Sequence, residues 1–156
     1  MGAPRERKFF EEEKIIIRQI LSGEKQQIIA AYSDKPHFFT QRGFSIISKN
    51  RDVDMLKFLT CLLNSPLMTF YHRYVFLDIE KIVFQKILIA NTKKLPIKTP
   101  KDFSHYVDYV NSGEYSNMDI INKLIYKLYN LTYDDVLIVD PETRISREEY
   151  EGGDVV

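Results

Sequence analysis

The hydrophobic rhythm of this chain changes several times, and each change predicts a change of element. Lys14-Ile-Ile-Ile-Arg-Gln-Ile20 is short, β-branched and nearly continuous in apolar residues, which is the pattern of a buried strand. Ser22-Gly23-Glu24-Lys25 predicts a turn, and Gln27-Ile-Ile-Ala-Ala-Tyr-Ser33 a second strand. Asp34-Lys35-Pro36 breaks it. Residues 37–49 read as extended chain, with Gly43 marking a turn or bulge after Thr40-Gln41-Arg42. The chain up to residue 50 therefore predicts a small sheet.

From Asp52 the period becomes helical. Asp52 is placed to cap a helix in which Val53, Leu56, Leu59 and Leu63 recur at helical spacing. Asn64-Ser65-Pro66 ends it and starts another, with Ser65 as cap and Pro66 in the first turn. Leu67, Phe70, Tyr71 and Tyr74 are expected to carry that second helix. Residues 81–89 return to a β-rich pattern, and Leu95-Pro96-Ile97 reads as extended. Thr99-Pro100-Lys101-Asp102 has capping-box spacing and predicts a helix carried by Phe103, Tyr106, Val107 and Val110, stopped at Gly113. A longer helix is expected from about Asn117 to Asn130, with Ile121, Leu124, Ile125 and Leu128 on one side. Thr132-Tyr133-Asp134-Asp135 is a further capping box for a short helix through Val139, stopped at Pro141. Residues 148–156 read as disordered. The fold class expected is α+β: a small mixed or antiparallel sheet lobe with inserted helices, followed by C-terminal helices.

Charge then divides the chain. Residues 1–101 hold 18 Lys and Arg against 10 Asp and Glu, whereas residues 102–156 hold 4 against 12. A net charge of zero thus conceals a basic body and an acidic tail, and a basic body suggests a polyanionic partner. The organisation expected is a charged linker over residues 1–13 (Met1-Gly2-Ala3 reading as a joining scar), a recognition lobe over 14–101, a helical segment over 102–140 and a disordered tail over 141–156. No stretch approaches the roughly 18 to 20 apolar residues that span a bilayer, and the N-terminus lacks the apolar core of a secretion signal. Neither membrane nor export is expected. The single Cys61 suits a reducing cytoplasm and, inside Leu59-Thr60-Cys61-Leu62-Leu63, a buried apolar role.

No catalytic constellation assembles from these residues. His37, His72 and His105 stand far apart, without Cys, Asp or Glu at metal-ligand spacing. Glu12-x-Lys14 lacks the upstream aspartate that a nuclease site needs. Six glycines and no Gly-rich strand-to-helix loop argue against a nucleotide cradle. The chain is expected not to be an enzyme by itself.

One ordered set of features resembles a known family. Lys14-Ile-Ile-Ile-Arg-Gln-Ile20, a strand ending in Ala31-Tyr32, a helix closing in Leu62-Leu63-Asn64-Ser65-Pro66-Leu67-Met68-Thr69-Phe70-Tyr71, and Leu95-Pro96-Ile97 resemble, in that order, the TaqI-like C-terminal specificity domain. Residues 121–136, in which a helix ends in Tyr129-Asn-Leu-Thr132 before an acidic-capped helix, look like that family's closing segment. The resemblance thus spans about Lys14 to Asp140. It implies the target-recognition part of an adenine-N6 DNA methyltransferase or of a fused type IIG restriction–modification enzyme. The family's catalytic half is not among these residues, so the chain is expected to be a piece of a longer enzyme, cytoplasmic and bacterial. That parent would use S-adenosylmethionine, and Mg if it cleaves. This chain would bind no cofactor. The partners implied are double-stranded DNA and the methyltransferase domain of the same parent chain.

Direct readout needs side chains that offer two hydrogen bonds to a base edge, Arg or Lys to guanine and Asn or Gln to adenine. In the polar segments these are Lys25, Gln26, Lys35, His37, Gln41, Arg42, Lys49, Asn50 and Arg51. Arg18 is either a phosphate clamp or an internal charge partner. His72 and Arg73 are further phosphate candidates. Phe9-Phe10 reads as linker or interdomain contact, and Asn64-Ser65-Pro66 as an architectural turn. The acidic tail is expected to pack behind the basic lobe or against the methyltransferase domain. Two other classes remain: a protein-interaction or assembly module without DNA contact, and, with least support, a small hydrolase or nuclease.

Overall fold

The computed structural model describes residues 6–21, 27–40, 42–78, 85–115 and 117–152. The predicted turn at 22–25, with Lys25 and Gln26, and Gln41 lie outside the described residues. Three strands, β1 (Lys14–Arg18), β2 (Ala30–Ser33) and β3 (Gly43–Ile47), form an antiparallel sheet in the order β2-β1-β3. Lys14 faces Ser33 on one side and Ile47 on the other, and Arg18 faces Gly43. The fold is α+β, as the periodicity predicts.

This register has a consequence for the connection between β2 and β3. Both run antiparallel to β1 and hence parallel to each other, so the connection between them must travel back along the whole sheet. Alternation sorts the side chains first. Ile15 and Ile17 are fully buried on one face, beside Ala30 and Phe44. Lys14, Ile16 and Arg18 point to the other, which we call the outer face.

The outer face is covered by the returning strap and by a short helix, α1 (Lys8–Glu11). Ser45 Oγ donates to Phe9 O at 3.1 Å, and His37 N donates to Phe10 O at 3.0 Å. Lys14 Nζ is inserted between these coverings, donating to Glu12 O at 2.7 Å and to Lys35 O at 2.8 Å. Gly43 lets the strap settle: a Cβ there would lie 3.2 Å from Ile17 O and 3.6 Å from the Phe39 ring. Within the segment expected to be a charged linker, α1 is thus bonded to β3 and to the strap. The Phe10 ring stacks on Phe38 and tilts against Phe39, with centroids 5.3 and 5.2 Å apart.

On the inner face lies α2 (Val53–Asn64), whose N-terminus is capped by the Asp52 carboxylate accepting from Met55 N at 3.0 Å. Of the four predicted positions Leu56 and Leu63 are buried, while Val53 and Leu59 are half-buried. Leu56, Phe58, Thr60, Cys61, Leu62 and Leu63 are all buried, because the sheet covers one side and a later helix the other. Ser65 and Pro66 open α3 (Pro66–Phe76) as expected, Ser65 Oγ accepting from Met68 N. The buried positions of α3 are Met68 and His72, whereas Tyr74, predicted to face inward, is exposed.

The β-rich reading of 81–89 fares differently in its parts. Residues 79–84 lie outside the described residues, Lys86 makes a single antiparallel bridge with Ile20, and Ile89 opens a one-turn helix, α4 (Ile89–Thr92). The capping box predicted at Thr99 does not form. Residues 96–100 have no regular structure, and α5 (Ser104–Ser112) begins after the Asp102 carboxylate has taken Ser104 N and Oγ at 2.9 and 2.7 Å. The two prolines, Pro96 and Pro100, favour extended backbone before them, and that delays the helix. Gly113 stops α5 at φ 67°, a left-handed value that glycine adopts without strain.

Helices α6 (Asp119–Leu128) and α7 (Tyr133–Val139) follow as predicted, α7 with its full capping box between Thr132 and Asp135. The tail is not disordered throughout. Ser146 and Glu149 form another capping box for α8 (Arg147–Glu151), and Tyr150 is 3% exposed. Its hydroxyl donates to Leu131 O at 2.7 Å, and Lys127 sits 4.3 Å from its ring. A capped helix of five residues holds because that one aromatic side chain is fully used.

The acidic helices share the core of the basic lobe. Tyr106, Val110, Ile121 and Ile125 belong to the same buried cluster as Ile15 and Ile17. Helix α5 packs on α2, while α6 and α7 pack on α3. The divide at residue 101 is one of charge, not of packing. A satellite cluster of Tyr126, Val136, Ile145 and Tyr150 closes the end. No helix of the described residues is long and apolar enough to cross a membrane.

Candidate nucleic-acid interface

The layers put the acidic helices behind α2 and α3, and the strap on the opposite side of the sheet. Charge segregation along the chain thus becomes segregation in space. The strap carries Lys35, His37 and Arg42 outward, all exposed. Its conformation is fixed by local bonds. Ser33 Oγ lies 2.9 Å from His37 Nδ1, Lys35 N donates to Ser33 Oγ at 3.2 Å, and Lys35 O receives the buried ammonium of Lys14.

The turn between β3 and α2 presents Lys49, Asn50 and Arg51, also exposed. Ser48 builds it: its hydroxyl accepts from Asp52 N at 2.9 Å while its carbonyl accepts from Arg51 N at 3.4 Å. Arg51 pays for this with φ 55°, a left-handed backbone that a branched or long side chain seldom adopts.

The register splits the sequence-predicted residues into two groups. Lys35, His37, Lys49, Asn50 and Arg51 sit toward the end of the sheet marked by Lys14, whereas Arg18 and Arg42 sit at the end marked by Gly43. Four residue steps of strand separate those ends, about 13 Å. The strap bridges them, and at its exposed crest is Phe38, 77% accessible and stacked on Phe10. Composition gave no reason to single Phe38 out; only its position on the strap does.

Ion pairs are few among the described residues. Arg7 pairs with Glu11, Lys8 with Glu6, and Arg147 with Asp134 and Glu151. Among the described residues, Arg18, Lys35, Arg42, Lys49 and Arg51 have no carboxylate within salt-bridge distance. The surface is not uniformly positive, however. Glu12 and Glu13 line a shallow hollow with Ser48 and Arg51, and Glu13 accepts from the Tyr32 hydroxyl at 3.1 Å.

Two predicted residues are placed elsewhere. His72 is 1% exposed, with both ring nitrogens unbonded and its ring 5.7 Å from Phe76. Burial lowers its pKa and removes it from any phosphate, so its reading as a phosphate contact is corrected. Arg73 lies half-buried, 5.9 Å from the Tyr74 ring, in a cleft of about 340 Å³ whose other wall includes Asp140 and Glu142. Two carboxylates there make it an unsuitable phosphate site.

The architectural readings are met. Asn64 clamps β2, its Oδ1 accepting from Ala30 N at 3.0 Å and its Nδ2 donating to Ala30 O at 2.7 Å. Cys61 is buried, and desolvation pushes its thiol up to about 12, so it is no nucleophile. Among the described residues no group of three His, Cys, Asp or Glu side chains is placed to hold a metal.

Sheet, strap and turn together define a small α+β domain that displays unpaired cations and amides from pinned loops, with its acidic helices turned away. The chain belongs to the TaqI-like C-terminal specificity domain family, whose model matches residues 1–97. Membership implies a DNA-recognition role in restriction–modification enzymes, and a specificity domain of this kind is not catalytic by itself. The match takes in the N-terminal segment and stops before α5, so the likeness expected for residues 121–136 falls outside it. No curated protein matches the chain.

Proposed function

We propose that this chain is the target-recognition domain of a type IIG restriction enzyme or a related adenine-N6 DNA methyltransferase. It would grip one side of a short duplex while a methyltransferase domain of the same parent chain flips and methylates an adenine from S-adenosylmethionine. Cleavage, where the parent has it, would use Mg in a further domain. The observation that carries the reading is the set of exposed cations without carboxylate partners on the strap and the β3–α2 turn, held rigid by Lys14 and Ser48. Rigid presentation matters because a bidentate contact to a base edge is worth about 1–3 kcal/mol only when the donor is already aimed.

Within that reading Arg42, Lys49, Asn50 and Arg51 face the duplex, with Lys35, His37 and Arg18 beside them; Lys25, Gln26 and Gln41 belong to the same proposal. Reversing the charge of Arg42, Lys49 and Arg51 together is expected to abolish duplex binding at low salt, measured by fluorescence anisotropy. Unchanged affinity would remove this surface from the DNA interface.

A protein-contact reading has one observation of its own. Tyr74, Val75, Leu137 and Ile138 are exposed at or beside the cleft that holds Arg73. We assign that rim to docking of the parent's methyltransferase domain, on the face turned away from the strap. The two contacts are then compatible.

A further inference from the structure

One stretch of the chain is more strongly basic than any of the residues assigned above. From Lys81 to Lys101 there are six lysines and no Asp or Glu. Lys86, Lys93, Lys94, Lys98 and Lys101 fall within the described residues, and all five are exposed. None has a carboxylate within salt-bridge distance among the described residues.

The backbone beneath these lysines is anchored. Ile87 is buried and its N donates to Gln19 O at 2.8 Å; Leu21 N donates to Gln85 O at 3.1 Å. Leu95 is buried. Beyond it the Tyr129 hydroxyl donates to Pro96 O at 2.6 Å and accepts from Lys98 N at 2.9 Å. The tyrosine that caps the C-terminus of α6 thus clamps both sides of Ile97, and two prolines stiffen the same stretch.

Its position continues the interface. Gln19 N donates to Arg42 O while Gln19 O receives Ile87 N. Arg42 and Ile87 thus both bond the backbone of Gln19, so the segment that bears Lys86 meets the end of β1 where Arg42 stands. The lysine ridge starts at the end of the sheet where Arg18 and Arg42 stand.

We infer that this ridge is a second, sequence-independent contact that tracks the phosphate backbone beside the site read by the strap and turn. The inference rests on the DNA reading proposed above. Residue type supports the division of labour. Lysine is a compact, hydrated point charge without the fixed fork of arginine, suited to phosphate and poor at choosing a base. The ridge is all lysine, whereas the strap and turn mix Arg, Asn and His with Lys.

The test compares the full 156-residue chain with a K86Q/K93Q/K94Q/K98Q/K101Q variant, on two unrelated duplexes, by anisotropy between about 50 and 200 mM salt. Each phosphate contact contributes about 0.9 to the slope of log affinity against log salt. The variant is expected to lose about 2–4 units of slope and at least tenfold in affinity at the lower salt, by the same factor on both duplexes. A slope unchanged beside a wild-type protein that binds would overturn the ridge and leave the recognition reading standing. A loss confined to one duplex would also overturn it, since that is base reading. Wild-type protein that binds neither duplex would sink the DNA reading itself, and the ridge with it. Lys98 contributes only its backbone N to the Tyr129 clamp, so the substitutions leave the anchor in place, which an unchanged thermal midpoint confirms.

Discussion

Lys14 and His72 are both buried and ionisable, yet they have opposite uses. Lys14 keeps two carbonyl partners that hold α1 and the strap together. Desolvation lowers its pKa, Asp34 partly offsets this, and the charge is structural. His72 has no polar partner for either ring nitrogen, so the neutral ring is the form that folding accepts. Its folded pKa lies below the ordinary 6.5. Stability from this residue is therefore complete above that value and is lost as pH falls from 6.5 toward the lowered folded value. The slope contributed is at most about 1.36 kcal/mol per pH unit. His72→Leu should flatten the fall in urea midpoint between about pH 7 and 5 and cost little at neutral pH, because no hydrogen bond is removed. An unaltered pH profile would mean that other groups govern acid unfolding in that range. Arg51 is a different kind of residue, held at φ 55° in the turn that faces the proposed duplex. Strain of order 1 kcal/mol persists where function requires it. Arg51→Gly should leave stability equal or raise it by up to about 1 kcal/mol, while weakening duplex binding. A variant that lost both would show the arginine to be a packing residue.

At the level of elements, the junction of α2 and α3 shows what the Leu63-Asn64-Ser65-Pro66 sequence does architecturally. Ser65 caps the second helix, Pro66 starts it, and Asn64 reaches across to both backbone groups of Ala30 at the outer edge of β2. The edge strand is thereby satisfied by a side chain in place of a neighbouring strand. Asn64→Ala should lose about 1–3 kcal/mol, read from urea unfolding, since it leaves the Ala30 amide and carbonyl without this partner. Asn64→Asp should be worse at neutral pH, because its carboxylate would face Ala30 O and Thr60 O. If Asp proved the milder change, the amide donor would not be what secures the strand. Cap signals of this kind were legible along the chain: Asp52, Ser65, Thr132 and Gly113 all stand where their residue types predict. Thr99 was misleading, because the same spacing was overruled by prolines and by Asp102. Ser146 and Glu149 went unread beside a polar tail, since a five-residue helix has no periodicity to recognise.

Across the whole molecule, the acidic half is a structural partner of the basic half. Ile121 and Ile125 complete the cluster around β1 and α2. Removing residues from Asn117 onward should therefore abolish cooperative thermal unfolding and expose the α2–α3 face to aggregation, in place of yielding a smaller, soluble DNA-binding lobe. A truncated chain with a sharp transition would show that the core closes without α6. Behind this packing is an electrostatic arrangement that residue counts foreshadowed. The surplus of positive charge in residues 1–101 and of negative charge in 102–156 becomes a strap along the outer face and a lysine ridge that begins near the end of the sheet where the strap finishes, with acidic helices behind α2 and α3.

The sequence by itself determined the strands, most helices, their caps, the sign of charge on each half and the likeness to a specificity domain, because these depend on local periodicity, short-range side-chain bonding and composition. Only the tertiary structure decided which cations share a surface. Sheet order made the β2–β3 connection a strap along the outer face, divided the candidates between its two ends, raised Phe38 to its crest and buried His72. It also brought Tyr129 to the lysine-rich stretch and Asn64 to Ala30. Contacts of that kind join residues about thirty positions apart, and no local pattern records them, since what fixes them is how strands and helices close around one shared core.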